Sequence, residues 1–182
     1  MRIIAGEAKN KKIKALKTMD VRPTSDRVKE SLFSIIDQYI PDSVFLDLFS
    51  GTGNIALEAL SRGAKKAILI EKENKVLGNI IENINNLGFE DRCRAYKNEA
   101  ERAIVILAKK NEMFDVIFMD PPYKEELCTS TIEKVEEQKI LKENGLLIAE
   151  HHIKERMAEK IGELNKVDER IYGNKVMTFY AY

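Results

Sequence analysis

Val44-Phe45-Leu46-Asp47-Leu48-Phe49-Ser50-Gly51-Thr52-Gly53-Asn54-Ile55-Ala56 reads as an apolar strand, a glycine turn and the start of a helix. Glycines at 51 and 53 let the backbone pass close to a ligand, and the helix behind them aims free N–H groups and the positive end of its dipole at it. That is the entry to a cofactor site in an open α/β sheet. The spacing Gly51-x-Gly53-x-x-Ala56 also fits a dinucleotide fingerprint, so the glycines alone do not choose the cofactor. Asp47 shifts the balance. A carboxylate at the strand's end would repel a pyrophosphate, whereas it would attract the amino and sulfonium cations of S-adenosyl-L-methionine. No Gly-Lys-Ser/Thr follows, which sets aside a Walker phosphate loop.

The next strand, Lys66 to Ile70, ends in Glu71. An acid about 20 residues past the glycine turn is placed to bind ribose hydroxyls, although Glu71-Lys72-Glu73-Asn74 also reads as an ordinary acidic helix start. Further on, the apolar run Phe114-Asp115-Val116-Ile117-Phe118-Met119 closes in Asp120-Pro121-Pro122-Tyr123. A buried strand ending this way displays groups at the sheet's carboxyl edge, where such sheets bind ligands. The Asp120 carboxylate and the Pro121 carbonyl can each accept a hydrogen bond from an amine, and Tyr123 offers a stacking face. Two acceptors and a ring suit a planar nucleobase amine; the bland alternative is a proline-terminated turn.

The chain has 182 residues, 44% of them hydrophobic, enough for one substantial core. We divide it into a basic hairpin-plus-helix appendage over 1–40 and a catalytic domain over 41–182. Thirty basic residues balance thirty acidic ones, but residues 1–30 carry net +5 and the remainder −5. A basic arm on an acidic body fits a polyanion engaged at one end, or a lysine-blunted surface hairpin. Lys9, Lys11, Lys12, Lys14, Arg22 and Arg27 are the RNA-facing candidates. Two distant cysteines, Cys93 and Cys128, and the adjacent His151 and His152 suggest no metal site and no disulfide framework. The histidines lie just past the fifth strand, bordering the pocket or in a solvated turn. Neither a leader nor a membrane-length apolar run is seen, so a soluble cytoplasmic protein is expected.

Two short strands, Arg2–Gly6 and Lys12–Leu16, precede a helix capped by Thr24, Ser25 or Asp26, with apolar positions Val28, Leu32, Ile35, Ile36 and Tyr39. Strands are then expected near 43–48, 66–70, 93–97, 114–119 and 145–150, and helices near 54–62, 74–87, 100–110 and 126–138. The strands lack clean alternation, as strands covered on both faces should. Lys154 to Leu164 reads as a helix, and Lys166–Tyr172 and Lys175–Tyr182 as strands of a hairpin turning at Gly173-Asn174. The fold class is α/β: a Rossmann-like, mostly parallel seven-stranded sheet ending in an antiparallel hairpin. That ending favours a methyltransferase over a dehydrogenase.

These residues resemble the RsmD family of bacterial 16S rRNA (guanine-N2) methyltransferases. The likeness is carried by Arg2-Ile3-Ile4-Ala5-Gly6, Arg22-Pro23-Thr24-Ser25-Asp26-Arg27-Val28-Lys29-Glu30-Ser31-Leu32-Phe33, Asp47 to Gly53, Glu58 to Ala64, and Asp120 to Tyr123. The resemblance implies S-adenosyl-L-methionine as donor and 16S rRNA as substrate, within an assembling or assembled small subunit. It implies methylation of the exocyclic N2 amine at a guanine of the 966 type. Cofactor contacts are implied at the glycine turn and Glu71, with Thr24 near the methionine end and catalysis at Asp120, Pro121, Pro122 and Tyr123. Where the family commonly has an Asn-Asp pair near the adenine ring, this chain has Asn98-Glu99, leaving open which of the two meets it. The same corner would also serve an adenine-N6 or a protein-amide methyltransferase, and an idle RNA-binding assembly factor is the reading from another class.

Overall fold

In the computed structural model, residues 1–16, 25–122 and 126–182 are described. Strands β1 (Val44–Asp47), β2 (Lys66–Glu71), β3 (Cys93–Lys97), β4 (Phe114–Met119), β5 (Leu141–His152), β6 (Lys160–Ile161), β7 (Leu164–Tyr172) and β8 (Lys175–Ala181) form one sheet. Their order is β3-β2-β1-β4-β5-β8-β7-β6. The first five are parallel and the last three antiparallel. Strand order reverses between β1 and β4, the switch point outside whose carboxyl ends such sheets bind ligands. Asp47 pairs with Phe118 there, two residues short of Asp120.

Helices α1 (Asp26–Ile36), α2 (Asn54–Ser61), α3 (Asn74–Leu87), α4 (Ala100–Lys109) and α5 (Leu127–Gln138) cover both faces. Successive strand residues point to opposite sides, which yields two cores. Phe45, Leu69, Val116 and Phe118 pack with α1, α2 and α3. Leu46, Ile68, Ile117 and Met119 pack with α4 and α5. This double burial is why the central strands read as unbroken apolar runs.

The amino-terminal segment packs into the first core through Ile3, Ala8 and Ile13. The two strands expected there reduce to a single bridge, Arg2 with Lys12, with Ile3 N donating to the Lys11 carbonyl and Ile13 N to the Met1 carbonyl beside it, while other backbone groups turn to helices. Ile4 and Ala5 donate to the Glu58 carboxylate at 2.9 and 3.0 Å, and Ala8 N donates to Ser61 Oγ at 2.9 Å. Gly6 passes so close to α2, at φ +81°, that a Cβ would stand 1.7 Å from the Ser61 carbonyl oxygen. On the returning side Lys14 N donates to Asn83 Oδ1 at 2.9 Å. The Lys14 carbonyl accepts from Asn79 Nδ2 and Asn83 Nδ2 at 2.9 and 3.0 Å.

Further differences from the sequence reading lie mostly toward the carboxyl end. Lys154–Leu164 is not a helix; turns and the two-residue β6 occupy it, bringing the sheet to eight strands. Met157, Ile161 and Leu164 recur at helical spacing, but all three meet the second core from an irregular chain, and Tyr180 Oη donates to the Ala158 carbonyl at 2.6 Å. The fifth strand starts earlier and ends later than 145–150, so His151 and His152 lie within β5. His151 is buried there, with Nε2 2.8 Å from Thr178 Oγ1. Among the described residues, no helix is long and apolar enough to cross a membrane.

Candidate active site

The glycine turn is held from below before it meets any ligand. Ser50 N and Oγ both donate to the Ile70 carbonyl, at 3.1 and 3.2 Å, and Oγ also reaches the Asp47 carbonyl at 2.9 Å. Gly53 caps α2 in the left-handed region, and Leu57 and Leu69 lie 3.2 Å from where its Cβ would be. Gly51 differs. A Cβ there would meet nothing within 4 Å, so this glycine borders open space above the turn. Glu71 reaches across to it: one carboxylate oxygen accepts from Gly51 N at 3.1 Å and the other from Glu73 N at 2.9 Å.

Asp47 lies beneath the turn, 1% exposed. The backbone N–H groups of Phe49 and Ala56 favour its charge, yet burial, with Asp120 and Glu71 nearby, pushes its pKa up to about 7 from 3.8. Its Oδ1 has no hydrogen-bond partner among the described residues. A buried carboxylate oxygen with no partner among the described residues, flanked by two more acids, suits a cation. An anionic pyrophosphate does not fit it.

Asp120 extends just past β4, half-buried, followed by a buried Pro121 and an exposed Pro122. Its pKa is pushed up to about 7, first by burial and then by the charge of Glu150, with Lys175 opposing. Met119 pairs with Ala149, so Asp120 and Glu150 stand at one level on adjacent strands. Glu150 is fully buried, and Lys175 on β8 contacts its Oε1. The sequence reading missed Glu150 and Lys175. A lone acid at the end of an apolar strand and a lysine just after a turn carry no motif, and only strand order joins them.

At the third strand's end, Asn98 N donates to the Glu71 carbonyl at 3.1 Å, and Asn98 Oδ1 accepts from Glu99 N at 3.0 Å. Asn98 is half-buried beside Glu71, whereas Glu99 is exposed at the start of α4. The structure therefore brings Asp47, Gly51, Gly53, Glu71, Asn98, Glu99, Asp120 and Pro121 to one edge of the sheet. Thr24, Arg22 and Tyr123 lie outside the described residues.

The basic residues divide. Lys9, Lys11, Lys12, Lys14 and Arg27 are all exposed. Lys14 pairs with Glu82 at 2.7 Å, and Lys11 Nζ approaches the Leu87 carbonyl at 3.5 Å. The tip of the amino-terminal turn sits beside Ser61 at the far end of α2, an eight-residue helix. It is therefore roughly 12 Å along the helix from the glycine turn.

A family model described as "Conserved hypothetical protein 95" matches residues 1–181. YlbH of Bacillus subtilis, named as a candidate rRNA methyltransferase, is 36% identical over 180 residues, covering 99% of this chain and 98% of its own length. "Ribosomal RNA small subunit methyltransferase D" of Haemophilus influenzae is 35% identical over 150 residues, 82% of this chain and 78% of its own. The solved structure of yhhF from Escherichia coli, a methyltransferase candidate by name, superposes with a TM-score of 0.87. It shares 30% identity and is covered to 96%, with 99% of this chain matched. The fold is that of S-adenosylmethionine-dependent methyltransferases. With the whole length matched and the glycine turn and Asp-Pro-Pro corner brought together, the chain belongs to the RsmD family of methyltransferases.

Proposed function

We propose that this chain methylates the exocyclic N2 amine of a guanine in 16S rRNA, at the 966-type site the family resemblance implies, during ribosome biogenesis. The coarser statement, an S-adenosyl-L-methionine-dependent rRNA methyltransferase, follows from its family. The observation that carries the reading is Asp120 with Pro121 after it, at the same sheet edge as Asp47 and the glycine turn, which suits a planar amine; the family resemblance makes that amine the N2 of guanine. A cytoplasmic location and an assembling small subunit as the substrate's setting go with that reading.

Asp47, Gly51, Gly53 and Glu71 would hold the cofactor, with Asn98 or Glu99 at its adenine and Thr24 at its methionine end. When bound, it supplies an electrophilic methyl group next to a positive sulfur. The chain's own residues must prepare the amine. Guanine's exocyclic nitrogen is a poor nucleophile because its lone pair is delocalised into the ring. Asp120 and the Pro121 carbonyl, accepting its two N–H bonds, favour a pyramidal nitrogen and fix its direction. The same carboxylate stabilises positive charge as it develops there. Tyr123 stacks on the base, which must leave any helical stack to reach the corner.

Asp47→Asn should weaken cofactor binding by about ten- to hundredfold, the loss expected when a charged acceptor becomes neutral. Wild-type affinity should rise with pH through about 7, because Asp47 must shed its proton to meet a cation. Calorimetry across that range checks both; a flat profile and unchanged affinity in the variant would remove Asp47 from the site. The substrate is tested by mapping methylated guanosine in ribosomal RNA from cells with and without the protein. Loss of N2-methylguanosine at one position of 16S rRNA is the expected result, and loss of N6-methyladenosine instead would overturn the guanine reading.

A further inference from the structure

A groove of about 500 Å³ lies between the first turns of α1 and the β7–β8 tip, lined by Arg27, Val28, Ser31, Ile171, Tyr172 and Gly173. That volume is in the range of small-molecule sites. Ser31 Oγ and Tyr172 Oη are 2.7 Å apart, which holds the half-buried Tyr172 ring in one orientation on the groove wall. Ile171 beside it is 61% exposed, the most exposed of the large apolar side chains among the described residues. Arg27 is exposed at the mouth and has no acidic partner among the described residues.

Strand register ties this groove to the methylation corner. Tyr172 pairs with Lys175 across the Gly173-Asn174 turn, and Lys175 contacts Glu150, which stands level with Asp120. Register puts Tyr172 level with His152, two residues beyond Glu150, so Tyr172 and Asp120 are on one edge of the sheet, three strand spacings across and two residues along, roughly 16 Å apart. A fixed aromatic face, an apolar neighbour and a cation are what sequence-tolerant readers of single-stranded nucleic acid use, stacking on the base and pairing with the phosphate. Arg27, an exposed cation of the basic amino-terminal segment with no acidic partner among the described residues, suits this groove to an anionic ligand.

We propose that the groove seats a nucleotide near the methylated guanine in the same RNA strand, its base against Tyr172 and Ile171 and its phosphate at Arg27. This rests on rRNA methyl transfer at Asp120 and deepens it by naming a second contact with the substrate. The base being methylated is splayed out at Asp120, so a neighbouring nucleotide must also leave regular stacking. Tyr172 offers it a replacement surface, already oriented by Ser31.

The test uses 16S rRNA and small subunits from cells lacking the protein. Tyr172→Ala should raise KM for RNA about tenfold or more, the effect expected for a lost stack, with kcat changed by less than about twofold. Tyr172→Phe, which keeps the ring, should stay within about threefold of wild type. Ile171→Glu, at an exposed position that does not endanger folding, should raise KM as Tyr172→Ala does by repelling phosphate. Cofactor affinity should be unchanged in all three. Wild-type KM in both Tyr172→Ala and Ile171→Glu would overturn the proposal, as would a loss confined to kcat. Equilibrium binding of the same RNAs by each variant reads the groove without turnover. Should wild-type protein bind but not methylate them, the Asp120 reading fails while the groove is still judged by whether Ile171→Glu weakens binding.

Discussion

Asp120→Ala is expected to abolish measurable methyl transfer, a loss of at least ~10²–10³ in kcat, the scale set by removing one preorganised stabilising group from a transition state. Cofactor affinity should change only a fewfold, because Asp47 rather than Asp120 lies under the glycine turn. Asp120→Asn keeps one acceptor oxygen but not the charge, so it should retain amine positioning and lose the electrostatic part. Its rate should fall between wild type and Asp120→Ala. Single-turnover assays with a tritiated donor measure the chemical step, and calorimetry measures binding. Wild-type turnover in Asp120→Ala would remove the carboxylate from the mechanism.

The same residue makes kcat/KM pH-dependent. Only the ionised carboxylate accepts both the hydrogen bond and the developing charge, and burial beside Glu150 places its pKa at about 7 in the free enzyme. Activity should therefore rise with pH through that value. Stability moves the other way. An acid with a folded pKa above its unfolded one stabilises the fold fully below pH about 4, and that contribution is lost as pH rises through about 7. Asp47 adds the same trend. The free protein is thus least comfortable at the pH where it is most active, as expected of a site built to receive a cation.

Much of this site was legible because strand ends and glycine turns leave local marks. Apolar runs that stop in Asp47, Glu71 and Asp120 located three adjacent carboxyl edges, and the two glycines located the loop between them. The helices at 74–87 and 100–110 also followed, since α3 and α4 each bury one stripe. What sequence patterns did not show depends on tertiary partners. Lys154–Leu164 has good helix formers and a helical apolar spacing, yet Gly162 adopts φ +57° and the chain turns there to start a strand. On α1 the buried face is Lys29, Leu32, Phe33 and Ile36, one position round from the stripe through Val28 and Ile35. A lysine on that face has no apolar signature, so the apolar spacing points beside it.

Lys29 carries the second large prediction. Its ammonium and the Glu58 carboxylate are both fully buried, 3.0 Å apart. Lys29 Nζ also donates to the Arg2 carbonyl at 2.6 Å and to Asn54 Oδ1 at 2.7 Å, at the first residue of α2 after the glycine turn. Glu58 in turn accepts from Ile4 N, Ala5 N and Arg62 Nε. Burial holds the Lys29 pKa below its ordinary value while Glu58 opposes that shift. Lys29→Ala should therefore cost about 3–5 kcal/mol, because the buried Glu58 carboxylate keeps only Arg62 as a cationic partner and the Arg2 carbonyl and Asn54 Oδ1 lose their donor. For a chain of this size that lowers Tm by roughly 6–20 °C. Glu58→Ala should cost at least as much, leaving a buried cation and two backbone amides unpaired. The double variant Lys29→Ala with Glu58→Ala should cost less than the two single losses added together, since their mutual ion pair is then lost only once. Because the pair joins α1, the amino-terminal segment and the glycine-turn helix, the single variants should also expose residues 1–16 to protease and weaken cofactor binding. Thermal unfolding, limited proteolysis and calorimetry on the four proteins of the cycle separate these effects. Additive losses would show that the two side chains are not coupled, and an intact cofactor affinity in the single variants would show that the pair does not support the site.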